Sequence, residues 1–369
     1  MDFEKITING YTLLIILYFL GSTILSNIAA ATGPDFWLVY LIGLVVGIVF
    51  TAMYNRILQL HDFRSFPDIL ERLFGYWPSK LFCAIYAIFF LMRTDMVGEI
   101  TTEMATDLLM NDAPRRLTVS ILLFTTLYAC HKGLRAIGRS TQIITVLIGI
   151  CLLPFLLTAF SSPAFIVKNL QPFLVGGIQD FWQKTLAVCI TPYTEIGLFA
   201  VLAVHVERNH QKLIFSRQVI AMTVSTLLLI LVGLINLSIL GKYLVFSLKY
   251  PFYNAMMLTG LHGVLERLDP LAVIIVIASS FYKVAVLFYC WIEMGTAVSS
   301  KIKRNGIIIG TAILMFSGIL NINYLYEKFQ NVILPFQVMP LFQVVIPVLL
   351  WIISEIKFYF ERKREIGTI

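Results

Sequence analysis

Apolar runs of membrane-spanning length recur along this chain, separated by short connections that carry most of its charge. Roughly 20 apolar residues cross a bilayer as a helix. On that measure the pattern predicts ten spans, at residues 11–32, 36–58, 80–104, 117–131, 140–160, 181–204, 218–241, 271–298, 306–323 and 336–357. Two segments outside the spans read as short amphipathic helices. Phe66, Leu70, Leu73 and Trp77 would share one face of the first, and Met257, Leu261, Val264 and Leu268 one face of the second. Gly43 with Gly47, and Gly306 with Gly310, stand at the spacing of close helix-packing faces.

The sixth span breaks its own pattern. Its centre reads Thr191-Pro192-Tyr193-Thr194-Glu195-Ile196-Gly197. Proline removes a backbone donor, glycine loosens the helix, and a carboxylate at mid-membrane depth costs about 2.5 to 3.5 kcal/mol on insertion scales. An unwound helix holding a solute or ion near the midplane accounts for all three features. The first span carries a matching interruption at Gly21-Ser22-Thr23, followed by Ser26 and Asn27.

Two connections also repeat one another. Ile69-Leu70-Glu71-Arg72-Leu73 follows the second span and Val264-Leu265-Glu266-Arg267-Leu268 the seventh, each ahead of a proline and a long span. Charge puts the first copy inside and the second outside, as an inverted repeat of five plus five spans requires. The whole chain, 1–369, then forms one transmembrane domain, with 1–165 as the first repeat and 175–369 as the second. Discontinuous helices 1 and 6 would face each other, and the expected ligand-binding residues are Gly21, Ser22, Thr23, Thr191, Tyr193, Thr194, Glu195 and Gly197.

Composition agrees with the pattern. A chain of 369 residues with 59% hydrophobic residues, 13% charged residues and a mean hydropathy of +0.85 lies outside the soluble globular range. This is an all-α polytopic membrane protein. The net charge of +7 has a topological origin, because 18 of the 28 Lys and Arg fall on alternate connections. The positive-inside rule therefore places both termini in the cytoplasm, and nucleic acid is not expected as a partner. The first span reads as retained, with no small-residue cleavage site after it. Five cysteines, scattered singly, indicate neither a disulfide framework nor a metal site.

Charged residues inside spans need compensation. Arg93, Asp95 and Glu99 lie in the third span, Glu195 in the sixth and Lys283 in the eighth, with Glu293 nearer the eighth span's cytoplasmic end and within reach of water. Two readings stay open. Arg93, Asp95, Glu99 and Lys283 could form a charge network that clamps spans 3, 6 and 8 together with Glu195, or some of these groups could meet the charged ends of a small solute such as an amino acid. Half-helix amino ends at the two breaks would offer N–H groups to its carboxylate.

No enzymatic constellation emerges. His205, Glu207 and His210 lack the H-E-x-x-H spacing, and a solvated loop accounts for Val204 to Lys212. Neither a P-loop nor a nucleophile elbow is present, so no enzyme activity and no cofactor are expected.

The stretch Gly21-Ser22-Thr23-Ile24-Leu25 resembles the first-helix motif of the amino acid/polyamine/organocation permease superfamily, with Thr23 where permeases usually have a second glycine. Chain length, ten spans, the Thr191-Pro192-Tyr193 break, and the run from Tyr250-Pro251 through Leu265-Glu266-Arg267-Leu268-Asp269-Pro270 into the lysine-bearing eighth span look like the B-subunit family of bacterial spore germinant receptors. That resemblance implies a LeuT-like fold in the inner spore membrane. It also implies a nutrient ligand, such as an amino acid, and partnership with an A subunit and a lipoprotein C subunit. In carriers of this architecture a cation site often braces the first span against the eighth, and the Lys283 ammonium could occupy it without sodium. The rival expectation is an autonomous proton-coupled amino-acid permease.

Overall fold

A computed structural model describes residues 5–26, 28–109, 114–171, 177–259, 267–298, 304–318 and 337–367. Helices account for nearly all of them: α1 (Ile8–Ser26), α2 (Phe36–Leu60), α3 (Phe66–Phe74), α4 (Tyr76–Leu109), α5 (Arg115–Lys132), α6 (Leu134–Ser161), α7 (Gly177–Ile190), α8 (Gly197–Ala203), α9 (Ile214–Ser247), α10 (Pro251–Leu258), α11 (Asp269–Val298), α12 (Arg304–Gly318) and α13 (Ile346–Gly367). The described part of each predicted span is helical, the sixth on α7 and α8 together, the first continuing from α1 into a 3-10 turn at Ile28–Asp35 and the tenth passing through a π-helical turn at Leu341–Val345 into α13. Residues 27, 319–323 and 336 of these spans lie outside the described residues. Seven helical segments among the described residues are long and apolar enough to cross a membrane on their own.

Burial sorts the spans into layers. In α11 and in residues 185–203, 72% of the most apolar stretch is buried, against 33% in α6 and 22% in the final span. The eighth and sixth spans are therefore central, and the fifth and tenth peripheral. That is why a charge on α11 or beside α8 must find its partner inside the protein.

Local chemistry explains the connections. Ser65 caps α3, its Oγ accepting from the Asp68 amide at 3.3 Å, and Pro67 sits in the first turn where no helical donor is lost. Gly75 ends α3 at φ 86° and Gly133 joins α5 to α6 at φ 88°, a left-handed region that side chains with a Cβ avoid. Ile69 and Leu70 of the first repeat copy are buried as its amphipathic pattern requires. Trp77 departs from the predicted face: it belongs to α4 and is 79% exposed. In the second copy, Met257 is exposed and Leu268 buried, while Leu261 and Val264 lie outside the described residues.

One end of the bundle gathers the basic connections. Arg56 pairs with Glu355 at 2.6 Å, Arg72 with Glu361 at 3.4 Å, and Arg304 donates to the Cys130 carbonyl at 3.0 Å. At the same end Ile6 pairs with Val206 in a parallel bridge, its amide donating to the His205 carbonyl at 2.8 Å. His205 and Val206 are consequently buried, so the connection after the sixth span is strapped down by the amino-terminal segment and is not simply a solvated loop. Glu293 lies beneath it, 3.8 Å from His205 Nε2 and 3.9 Å from Arg304.

The two glycine pairs behave differently. Gly43 and Gly47 of α2 form the groove that seats the Tyr193 ring, and a Cβ on either would press into it. No described residue lies within 4 Å of a Cβ placed on Gly306 or Gly310 of α12.

Candidate functional site

Both predicted interruptions are real breaks in helical geometry. Gly21 leaves helical φ and ψ in the middle of α1, and α7 stops at Ile190. A cis Thr191–Pro192 peptide and a single 3-10 turn over Tyr193–Ile196 follow before α8 begins at Gly197. The chain runs this way because Pro192 denies the helix a donor and its ring crowds the preceding turn.

The breaks are held beside each other by side chains of α1. Tyr11 donates to the Phe199 carbonyl at 2.9 Å and receives a hydrogen bond from Gln218 Nε2 at 2.8 Å. The rings of Tyr18 and Phe199 meet edge to face at 5.3 Å, and those of Phe19 and Tyr193 at 5.9 Å.

Glu195 lies at the centre and is 1% exposed. One carboxylate oxygen accepts from Arg93 Nη2 of α4. The other accepts from Tyr18 Oη of α1 at 2.9 Å and lies 3.1 Å from Lys283 Nζ of α11. The Lys283 ammonium also sits 4.9 Å above the Tyr18 ring. Four spans thus converge on one carboxylate. A Cβ on Gly21 would stand 3.2 Å from both Cβ and Cδ of Lys283, so the first break is where the lysine stem passes α1.

Beside Glu195 lies a cavity of about 30 Å³, lined by Tyr54, Tyr86, Phe89, Phe90, Thr194, Gly197, Phe342 and Gln343 among others. It has room for water and not for an amino acid. Part of its wall is an aromatic pair: the Phe89 and Phe342 rings stack at 4.6 Å and 3°. Phe342 and Gln343 come from a π-helical turn, Leu341–Val345, that leads into α13. Such turns shift side chains out of α-helical register and are frequent at functional sites. Gln343 Oε1 accepts from Thr194 Oγ1 at 3.1 Å.

The other sequence-predicted residues sort as follows. Tyr193 turns away from the cavity into the α2 groove and shares a 2.9 Å hydrogen bond with Thr226. Gly197 provides space for the Tyr54 phenol, with which any Cβ would collide. Ser22 and Thr23 are buried next to the first break, and Thr23 Oγ1 has no hydrogen-bond partner among the described residues. Thr191 is half-buried at the end of α7. Asp95 and Glu99 are half-buried on α4, and among the described residues the groups seen against the Glu195 carboxylate are Arg93, Tyr18 and Lys283. Tyr18, Gln343 and Phe342 escaped the sequence reading. Gln343 left a signal, a lone amide between Pro340 and Pro347 in an apolar span, whereas nothing marks Tyr18 among its neighbours.

Residues 5–353 match the family described as "Spore germination protein". Spore germination protein KB of Bacillus subtilis (strain 168) is 25% identical over 365 residues, covering 96% of this chain and 95% of its own. The solved structure of MhsT in complex with L-phenylalanine superposes with a TM-score of 0.65 at 12% identity, over 94% of each chain. The fold is accordingly LeuT-like. With a family match across nearly its whole length, the chain belongs to the B-subunit family of spore germinant receptors.

Proposed function

We propose that this protein is the nutrient-sensing membrane subunit of a germinant receptor, binding a small solute between the breaks of α1 and of α7 and α8. The observation that carries this reading is the convergence of four spans on the buried Glu195, beside a cavity walled in part by Phe89 and Phe342. A solute entering there must part the aromatic pair and exchange partners with Glu195, Arg93, Lys283 or Thr194. Every one of those side chains belongs to a different span or to the sixth-span break, so binding biases the relative positions of the helices. The complex named for MhsT and L-phenylalanine supports an amino acid as the solute.

The remaining expectations belong to the same reading. Spans 1–5 (residues 1–165) and 6–10 (residues 175–369) act as inverted halves, each contributing one break. The basic end of the bundle faces the cytoplasm with both termini, in the inner spore membrane, and the shift in helix packing passes to an A subunit and a lipoprotein C subunit. The Lys283 ammonium, whose stem passes Gly21, occupies the place of a cation between α1 and α11, so sodium is not required.

Reconstitution of the full chain alone in lipid vesicles tests this proposal. Saturable binding of an amino acid without flux is the expected result. Steady uptake driven by a pH gradient would replace the receptor with the permease. Glu195→Gln and Lys283→Met should each weaken binding more than Glu293→Gln, whose carboxylate serves the amino-terminal strap.

A further inference from the structure

The buried cluster is unbalanced in charge. Arg93 and Lys283 are two cations meeting one carboxylate, and their side chains are 3% and 1% exposed. An excess charge inside a membrane domain is costly until an anion compensates it. The Arg93 fork is also poorly supplied. Among the described residues, Nη2 reaches Glu195, Nη1 meets the Met96 thioether sulfur at 3.1 Å, and Nε is buried with no acceptor. A guanidinium offers five donors in a planar fork suited to two carboxylate oxygens, and a thioether is a weak substitute for either.

The surroundings define the rest of the ligand. Phe89 and Phe90 precede Arg93 by one helical turn on the same face of α4, and with Tyr86 and Phe342 they wall the cavity. Both oxygens of Glu195 already serve Arg93, Lys283 and Tyr18, so this carboxylate is not spare for an ammonium.

We infer that Arg93 is a carboxylate-reading residue, and that the site takes a carboxylic acid with an apolar or aromatic tail, for which the carboxylate is required and an α-ammonium is not. The inference rests on the proposed site between the helix breaks. A ligand carboxylate engages the Arg93 fork and cancels the excess charge, while its tail takes the place of the Phe89 and Phe342 stack.

Three probes on the purified full-length protein separate the groups: L-phenylalanine, hydrocinnamate, which lacks the ammonium, and phenethylamine, which lacks the carboxylate. Binding is read as a saturable rise in Tm against sodium chloride of equal ionic strength. Phenylalanine and hydrocinnamate should bind with affinities within about tenfold of each other, and phenethylamine at least about tenfold more weakly, as expected for loss of a charged hydrogen-bond partner. Arg93→Met should abolish the response to both carboxylates, and Arg93→Lys should weaken it by removing the fork. The comparison among probes on the unaltered protein stands even where a variant fails to fold. Phenethylamine binding as tightly as phenylalanine overturns the inference, as does silence from all three probes. If other amino acids then still bind in a manner that Glu195→Gln abolishes, the site between the breaks survives and only the carboxylate role of Arg93 is lost.

Discussion

Lys283 lays its alkyl stem along Gly21 and places its ammonium 3.1 Å from the Glu195 carboxylate, joining the first break to the sixth through the eighth span. The eighth span can do this because it lies inside the bundle, with Lys283 itself 1% exposed. Charge counting then separates two substitutions that look equivalent. Glu195→Gln leaves two buried cations without a carboxylate and should cost about 3–5 kcal/mol. Lys283→Met leaves Arg93 and Glu195 as a balanced pair and should cost clearly less. Thermal unfolding of the two variants in one detergent checks the order, and a larger loss for Lys283→Met would refute it.

Gly197 is the only residue type that fits beneath Tyr54, because a Cβ there would overlap the phenol ring and its hydroxyl. Gly197→Ala should destabilise by about 1–3 kcal/mol through overpacking. Tyr54→Ala in the same chain should restore part of the loss. Additive effects in the double variant would show that the collision is not the cause.

Thr194 and Gln343 connect the sixth-span break to the π-helical turn of the tenth span. A double-mutant cycle of Thr194→Val and Gln343→Leu should give a coupling of about 0.5–1.5 kcal/mol, the worth of a neutral buried hydrogen bond. Zero coupling would mean that the two side chains act independently.

His61 ends α2 beside Ser354, with 3.2 Å between Nε2 and Oγ. Burial holds its imidazole below the ordinary value of 6.5, and Arg72 and Lys357 nearby add to the effect. The folded protein therefore resists a proton that the unfolded chain accepts. Stability should be level above about pH 6.5 and fall as pH drops below it, until the depressed folded value is reached. Tm measured from about pH 8 to about pH 5 should slope less in His61→Gln than in the parent. Parallel curves would assign the acid sensitivity elsewhere.

Much of the architecture was legible in residue order because bilayer thickness and backbone satisfaction leave few choices. The apolar runs located the spans, and the breaks at Gly21 and Thr191–Gly197 followed from residues that cannot continue a buried helix unaided. Partner choice was not legible in the same way. Arg93, Asp95 and Glu99 share one span, and nothing in their order shows that Arg93 and Lys283, from two different spans, meet on the same carboxylate. That the Tyr193 ring packs into the Gly43 and Gly47 groove is likewise not written in its own span. The loop at His205 looked solvated until Ile6 was seen paired with Val206.

Sequence alone determined that this chain is a membrane bundle with two interrupted helices, since those properties follow from local hydropathy and from what proline, glycine and charge do to a helix. Only tertiary structure decided that Glu195 meets Arg93, Lys283 and Tyr18 together, and that Gln343 and the stacked Phe89 and Phe342 line the space beside it. Those contacts depend on how four helices rotate and cross, which the period of apolar residues along any one of them does not specify.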